Sequence, residues 1–136
     1  MTLWHYDLIP YLPTKRLASL HRDVCLCRGK GWGGGGPALR YVWTHGYTTL
    51  HAYHSAVISE MVRRGWGIDP TWCQPHYRGK LGSIPVDELT YGLQKYPEMD
   101  DAMRKVQVGQ LMRLLAKPSL WFGDEMERFV TYALGQ

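Results

Sequence analysis

The stretch TKRLASLHRDVCLCRG, residues 14–29, predicts the first helix of a mainly α-helical fold. Its apolar side chains recur at intervals of three and four residues, the period of a helix with one buried face. These positions are Leu17, Leu20, Val24 and Cys27. Thr14 is of a type that caps helix N-termini, and Gly29 is of a type that ends helices. The pattern therefore predicts a helix over residues 14–28.

One flank of this helix carries charge. At about 100° per residue, Arg16, Ser19 and Asp23 lie within roughly 60° of one another beside the apolar face, whereas Arg22 points nearer to solvent. Residues 1–40 contain six Lys and Arg against two Asp, and this excess equals the net charge of +4 of the whole chain. Such a local excess indicates an anionic partner, most commonly nucleic acid, although a small positive charge also serves solubility alone.

The helical period recurs later in the chain. It predicts helices over residues 48–64, 86–95 and 100–116, and a short C-terminal helix after Asp124. Residues 1–13 contain two prolines and are expected to form an extended arm, and GKGWGGGGP, residues 29–37, is expected to form a flexible loop. No alternation typical of strands is sustained. We expect a mainly α, single compact domain over residues 1–136, with about three to five helices, long irregular loops and an extended N-terminal arm.

Composition restricts the class of protein. No apolar run reaches the ~18 residues of a membrane span, and the N-terminus lacks the pattern of a secretory signal, so a cytoplasmic protein outside the membrane is expected. The three cysteines are odd in number, and Cys25 and Cys27 are too close in sequence for a zinc knuckle, which favours reduced thiols. His51 and His54 lie one turn apart and leave a histidine metal site as an alternative, but a core histidine is the stronger interpretation of His54.

Thr2 supplies a possible nucleophile. Initiator methionine is removed when the next side chain is small, and Thr2 would then carry a free α-amine. An α-amine has a pKa of about 7.7–8.0, against about 10.4 for lysine, so a useful fraction is uncharged near neutral pH and can form an imine.

Three stretches of the chain resemble a known family. They are MT…DLIPYLPTKRLASLHRD near the start, YTTLHAYHSAVISEMVRRGW at 47–66 and HYRGKLGSIP at 76–85. Together they are similar to the pyrimidine-dimer DNA glycosylases and abasic-site lyases, over about residues 1–90. The resemblance implies a mainly α enzyme without metal or cofactor, whose nucleophile is the N-terminal threonine amine, matching Thr2. It also implies an acidic residue preceded by arginine on the first helix, matching Arg22 and Asp23.

The chain departs from the family pattern at three positions. Asp23 stands where the family has glutamate and is one methylene shorter. We therefore expect that lyase activity can remain where glycosylase activity is lost. Arg16 replaces a histidine, and Leu26 replaces an arginine whose phosphate contact Arg28 is a candidate to take over.

The resulting hypothesis is a monomeric DNA-repair enzyme acting on damaged or abasic duplex DNA. It assigns catalysis to Thr2 and Asp23, with neither metal nor cofactor. The residues predicted to bind DNA are Arg16, Arg22, Arg28, Lys30 and Arg40. The alternatives are an Asp23 that only pairs with a basic neighbour such as Arg16, and a non-catalytic nucleic-acid-binding or interaction domain on the same scaffold.

Overall fold

The protein, described here from a computed structural model covering residues 1–34, 36–82 and 92–136, is mainly α-helical, as predicted. The α-helices of the described residues are α1 (Thr14–Arg28), α2 (Arg40–Thr44), α3 (Tyr47–Arg63), α4 (Asp101–Leu114) and α5 (Glu125–Leu134). Short 3₁₀ segments lie at Tyr6–Tyr11, Pro37–Leu39, Pro70–Cys73, Gly79–Leu81 and Pro118–Leu120. Within these ranges no strand is formed, and no helix has both the length and the apolar character needed to cross a membrane.

Helices α1 and α3 pack against each other and form the centre of the core. The buried face of α1 is the predicted one, and it meets Leu50, Tyr53 and Val57 of α3, all of which are fully buried. Burial of each large aliphatic side chain contributes about 1.5–3 kcal/mol to stability. Both helices lie within one residue of their predicted bounds, because their apolar period and their ends are local properties of the sequence.

Thr14 is the first residue of α1 rather than its cap. Pro13 occupies the N-cap position, and its side chain makes no capping hydrogen bond. The Thr14 hydroxyl instead donates to the Glu125 carboxylate over 2.5 Å, and the Thr14 N–H donates to the same carboxylate. The start of α1 is therefore tied to the start of α5.

The N-terminal arm is not extended throughout, which corrects one detail of the prediction. Tyr6–Tyr11 form a 3₁₀ helix whose first N–H groups are partly satisfied by the His5 side chain, since His5 Nδ1 accepts from the Asp7 N–H. Leu8 and Leu12 are fully buried, and the turned backbone directs them into the core. The two prolines of the arm did not predict this 3₁₀ helix, because a proline φ near −65° suits a 3₁₀ turn as well as an extended chain.

The later helices follow the prediction with different ends. Helix α4 is shorter than the predicted 100–116, and α5 confirms the C-terminal helix with ten residues. Most of the helix predicted at 86–95 lies outside the described residues, and residues 92–95 are not helical.

The glycine-rich loop is anchored by an aromatic side chain. The Trp32 ring lies 5.3 Å from that of Trp43 and 5.1 Å from that of Tyr47, in edge-to-face geometry. Gly33 and Gly36 adopt φ of 86° and 76°, a region that favours glycine over every other residue. Trp32 therefore packs the loop against the start of α3, and Gly33 and Gly36 supply backbone conformations that other residues rarely adopt.

Candidate active site

The backbone just after Thr2 is held by two helices. The Tyr53 hydroxyl of α3 donates to the Trp4 carbonyl over 2.5 Å. Gln107 of α4 makes two further bonds to the same segment: its Oε1 accepts from the His5 N–H at 2.6 Å, and its Nε2 donates to the Leu3 carbonyl at 3.1 Å. Thr2 itself is exposed. The structure thus presents the start of the chain at the surface and fixes the residues that follow it.

The Met1 side chain lies against α1, the helix that carries Asp23. Met1 Sδ is 3.6 Å from Cys27 Sγ, and Cys27 is one turn after Asp23 on α1. Burial and, as the smaller cause, the nearby charge of Asp23 together raise the pKa of the Cys27 thiol to about 11. The Cys27 thiol thus contacts the Met1 side chain and is influenced by the charge of Asp23.

Asp23 does not have the partner that a purely structural role would give it. Among the described residues, no ion pair includes the Asp23 carboxylate, and Arg16 does not bind it. Arg16 is half-buried on the same flank, two turns earlier, and its Nε is the buried side-chain nitrogen that finds no hydrogen-bond partner within the described ranges. This flank of α1 therefore carries a half-buried carboxylate and an unused guanidinium donor.

Three of the residues predicted to bind DNA are exposed. Within the described residues, Lys30 and Arg40 have no hydrogen-bond or ion-pair partner for their side chains, and Arg22 makes a single 3.2 Å bond to the Ser19 hydroxyl. Arg22 lies on the exposed side of α1, and Lys30 lies just after the C-terminal end of that helix. Arg40 is the first residue of α2, beyond the glycine-rich loop.

Arg28 is different, and its predicted contact with DNA is wrong. Its side chain is fully buried, and all five of its N–H donors are used inside the protein. They bond to the Tyr47 hydroxyl, His54 Nδ1 and the carbonyls of Trp72, Gln74 and Tyr77, over 2.6–3.1 Å. The guanidinium also lies 5.6 Å and 5.1 Å from the Tyr47 and Trp72 ring centres. A buried cation satisfied in this way holds segment 72–77 against α1 and α3, and cannot reach a phosphate.

Sequence reasoning missed two basic residues near the C-terminal end of α1. Arg78 donates to the carbonyls of Arg28 and Gly29 and so caps the C-terminus of α1, where a cation is favourable. Lys80 is exposed, and with Lys30 it flanks a cleft whose wall includes Leu26 and Trp72. The string HYRGKLGSIP contains both residues, but only the tertiary contact brings them to the end of α1.

The histidines do not form the predicted alternative site. His51 Nε2 faces the Cys73 carbonyl at 3.1 Å, whereas His54 is buried and contacts His21. His21, Cys25 and His54 place their potential ligand atoms within 4.8 Å of one another, a cluster that the spacing of His51 and His54 did not predict.

The hydrogen bonds of this cluster oppose metal binding. Arg28 can only donate, so His54 Nδ1 accepts from it at 2.9 Å, and the His54 proton must lie on Nε2. That N–H donates to His21 Nδ1 at 3.0 Å, which leaves the His21 proton on Nε2, facing Cys25. Burial, with the charge of Arg28, lowers the pKa of His54 to about 2, so the ring stays neutral. A metal at these nitrogens would have to displace protons that this chain of bonds holds in place.

The comparison with known proteins points to the same enzyme class as the resemblance. A sequence model of the family described as pyrimidine dimer DNA glycosylase matches residues 1–74, which contain Thr2, α1 and α3. No curated protein and no solved structure gave a significant match. Because that match covers more than half of the 136 residues, the chain belongs to the pyrimidine dimer DNA glycosylase family, whose members are DNA-repair glycosylases.

Proposed function

We propose that the protein removes damaged pyrimidines from duplex DNA and then cleaves the strand, using the Thr2 α-amine as nucleophile once Met1 has been removed. The observation that carries this proposal is the half-buried Asp23 carboxylate, which has no ion-pair partner among the described residues and lies on the helix that the Met1 side chain contacts. A nucleophilic amine and a carboxylate without an ion-pair partner are the two groups that such chemistry requires.

The chemistry consists of base removal, strand cleavage and release of the free enzyme. The uncharged amine attacks the sugar C1′, the bond from C1′ to the base breaks, and the base leaves with the electron pair and takes up a proton. The added nitrogen then loses a proton, the C1′–O4′ bond breaks, and O4′ leaves with that electron pair and takes up a proton, which opens the sugar ring and forms an iminium at C1′. The resulting iminium makes the C2′ proton acidic; its removal forms a C2′–C3′ double bond and expels the 3′ phosphate. Water then hydrolyses the imine and returns the free amine. The Asp23 carboxylate stabilises the cationic intermediates and assists removal of the C2′ proton.

DNA binding in this proposal depends on phosphate contacts rather than on base sequence. The cations available for it are the exposed Arg22, Lys30 and Arg40, together with the half-buried Arg16. Arg16 is about 10.5 Å along α1 from Asp23, from its rise of about 1.5 Å per residue. A bound phosphate at Arg16 would therefore lie close to the reacting sugar. Lesions that weaken stacking are then selected because they make deformation of the duplex easier.

Borohydride trapping tests the nucleophile. With a duplex containing an abasic site, reduction should convert the imine into a stable protein–DNA adduct, and peptide mapping should locate it on Thr2. The control is the same chain with one residue inserted after Met1, which moves the amine by up to about 3.5 Å and should abolish trapping while DNA binding persists. An adduct on Lys15 or Lys30, or equal trapping by the extended chain, would show that the mechanism is wrong.

Asp23 is tested by two substitutions. Asp23→Asn should abolish base removal and slow strand cleavage by about two orders of magnitude or more, with equal or tighter DNA binding because a negative charge is lost. Asp23→Glu restores the longer side chain of the family and should raise base removal if reach limits the native residue. Unchanged turnover in Asp23→Asn would return Asp23 to a surface role and would favour the non-catalytic DNA-binding alternative.

A further inference from the structure

The segment that positions Thr2 is held by a residue outside the part of the chain that identifies the family. Gln107 lies on α4, whereas the family match ends at residue 74. Its side chain is 6% exposed and reaches back more than a hundred positions along the chain to Leu3 and His5. Such a buried amide needs partners for its donor and its acceptor, and here both partners are backbone groups of the N-terminal segment.

The geometry of these bonds explains why glutamine suits the position. The carbonyl of residue 3 and the N–H of residue 5 face the same side of a chain that is not yet helical. A primary amide offers one acceptor and one donor side by side, so a single side chain can bind both groups, as a neighbouring parallel strand would. The Tyr53 hydroxyl holds the intervening Trp4 carbonyl. Three successive residues are thus fixed from two helices.

We propose that Gln107 is a positioning residue for the N-terminal amine, so that α4 completes the active site. Thr2 immediately precedes the clamped Leu3, at one Cα–Cα step of about 3.8 Å, which leaves little freedom between the held backbone and the amine. Misplacement of a reacting group by about 1 Å can cost on the order of a hundredfold in rate. This inference rests on the proposed function of Thr2.

The experiment compares Gln107→Leu with Gln110→Leu, an exposed position on the same helix. Single-turnover imine trapping and the dissociation constant for abasic duplex are measured on chains lacking Met1, at a temperature where each variant is fully folded. Gln107→Leu should slow trapping by about 10- to 100-fold with less than a twofold change in affinity. Gln110→Leu should change neither. A trapping rate within twofold of the native rate, or a loss that follows affinity alone, would overturn the proposal.

Amide hydrogen exchange gives a readout that does not depend on activity. In the native chain the His5 amide should be protected by Gln107, and Gln107→Leu should expose it while amides in α3 stay protected. If Gln107→Leu does not fold, Tyr53→Phe, which removes only the bond to the Trp4 carbonyl, should slow trapping in the same direction. If the native chain traps the imine and neither substitution changes its trapping rate, the positioning role is rejected but the proposed nucleophile is not. Failure of the native chain to trap, with the His5 amide protected, rejects the proposed nucleophile instead.

Discussion

Replacement of Arg28 by lysine separates a buried structural cation from a DNA-binding one. Lysine keeps the positive charge but has three N–H donors instead of five, so at least two of the acceptors around Arg28 lose their partner. The acceptors are fully or partly buried, and each one left unpaired costs about 1–3 kcal/mol. We expect Arg28→Lys to lower the free energy of unfolding by about 2–6 kcal/mol, a large share of the 5–15 kcal/mol typical of a native protein.

Urea denaturation measures this loss, and Arg22→Lys is its control. Arg22 is exposed and makes one weak contact, so its replacement should change stability by no more than about 0.5 kcal/mol. DNA affinity, measured on the folded fraction, should be unchanged in Arg28→Lys. If Arg28→Lys were as stable as the native chain, or if Arg28→Gln weakened DNA binding while leaving stability intact, Arg28 would not have the interior role assigned to it here.

Three further predictions concern protonation, thiols and salt. His54 stays neutral in the folded chain, with a pKa of about 2 against 6.5 when unfolded, so only the unfolded state takes up its proton as the pH falls below about 6.5. The free energy of unfolding should therefore fall by about 2 kcal/mol between pH 7 and pH 5 on account of His54. Urea denaturation at both pH values should show that this fall is absent in His54→Asn. A thiol-alkylating reagent at pH 8 should modify the exposed Cys73 first, because burial raises the pKa of Cys25 and Cys27 to about 11; mass spectrometry of the peptides checks the order. With about four phosphates neutralised, the slope of log affinity for duplex DNA against log salt should be about −4, and a slope near zero would exclude DNA as the partner.

The histidine at position 54 shows where sequence reasoning was correct and where it stopped. Its place on the apolar face of α3 predicted a core histidine, and the structure confirms the burial. Its two partners, Arg28 and His21, come from α1, and no spacing within α3 could have named them. Arg28 had a signal that went unused: it follows Val24 by four residues and so lies on the buried side of α1.

By itself, the sequence determined the local properties of this protein. The apolar period of α1 and α3, the glycine at the end of α1 and the cluster of positive charge depend on residues a few positions apart, so they could be predicted without knowing the fold. The family resemblance likewise rested on continuous strings near the start of the chain. Only the tertiary structure decided which polar groups are used in the interior and which remain free. It buried Arg28, left Asp23 without an ion-pair partner in the described residues, and brought Gln107 to Leu3 and His5, because hydrogen-bond partners far apart in sequence are chosen by helix packing.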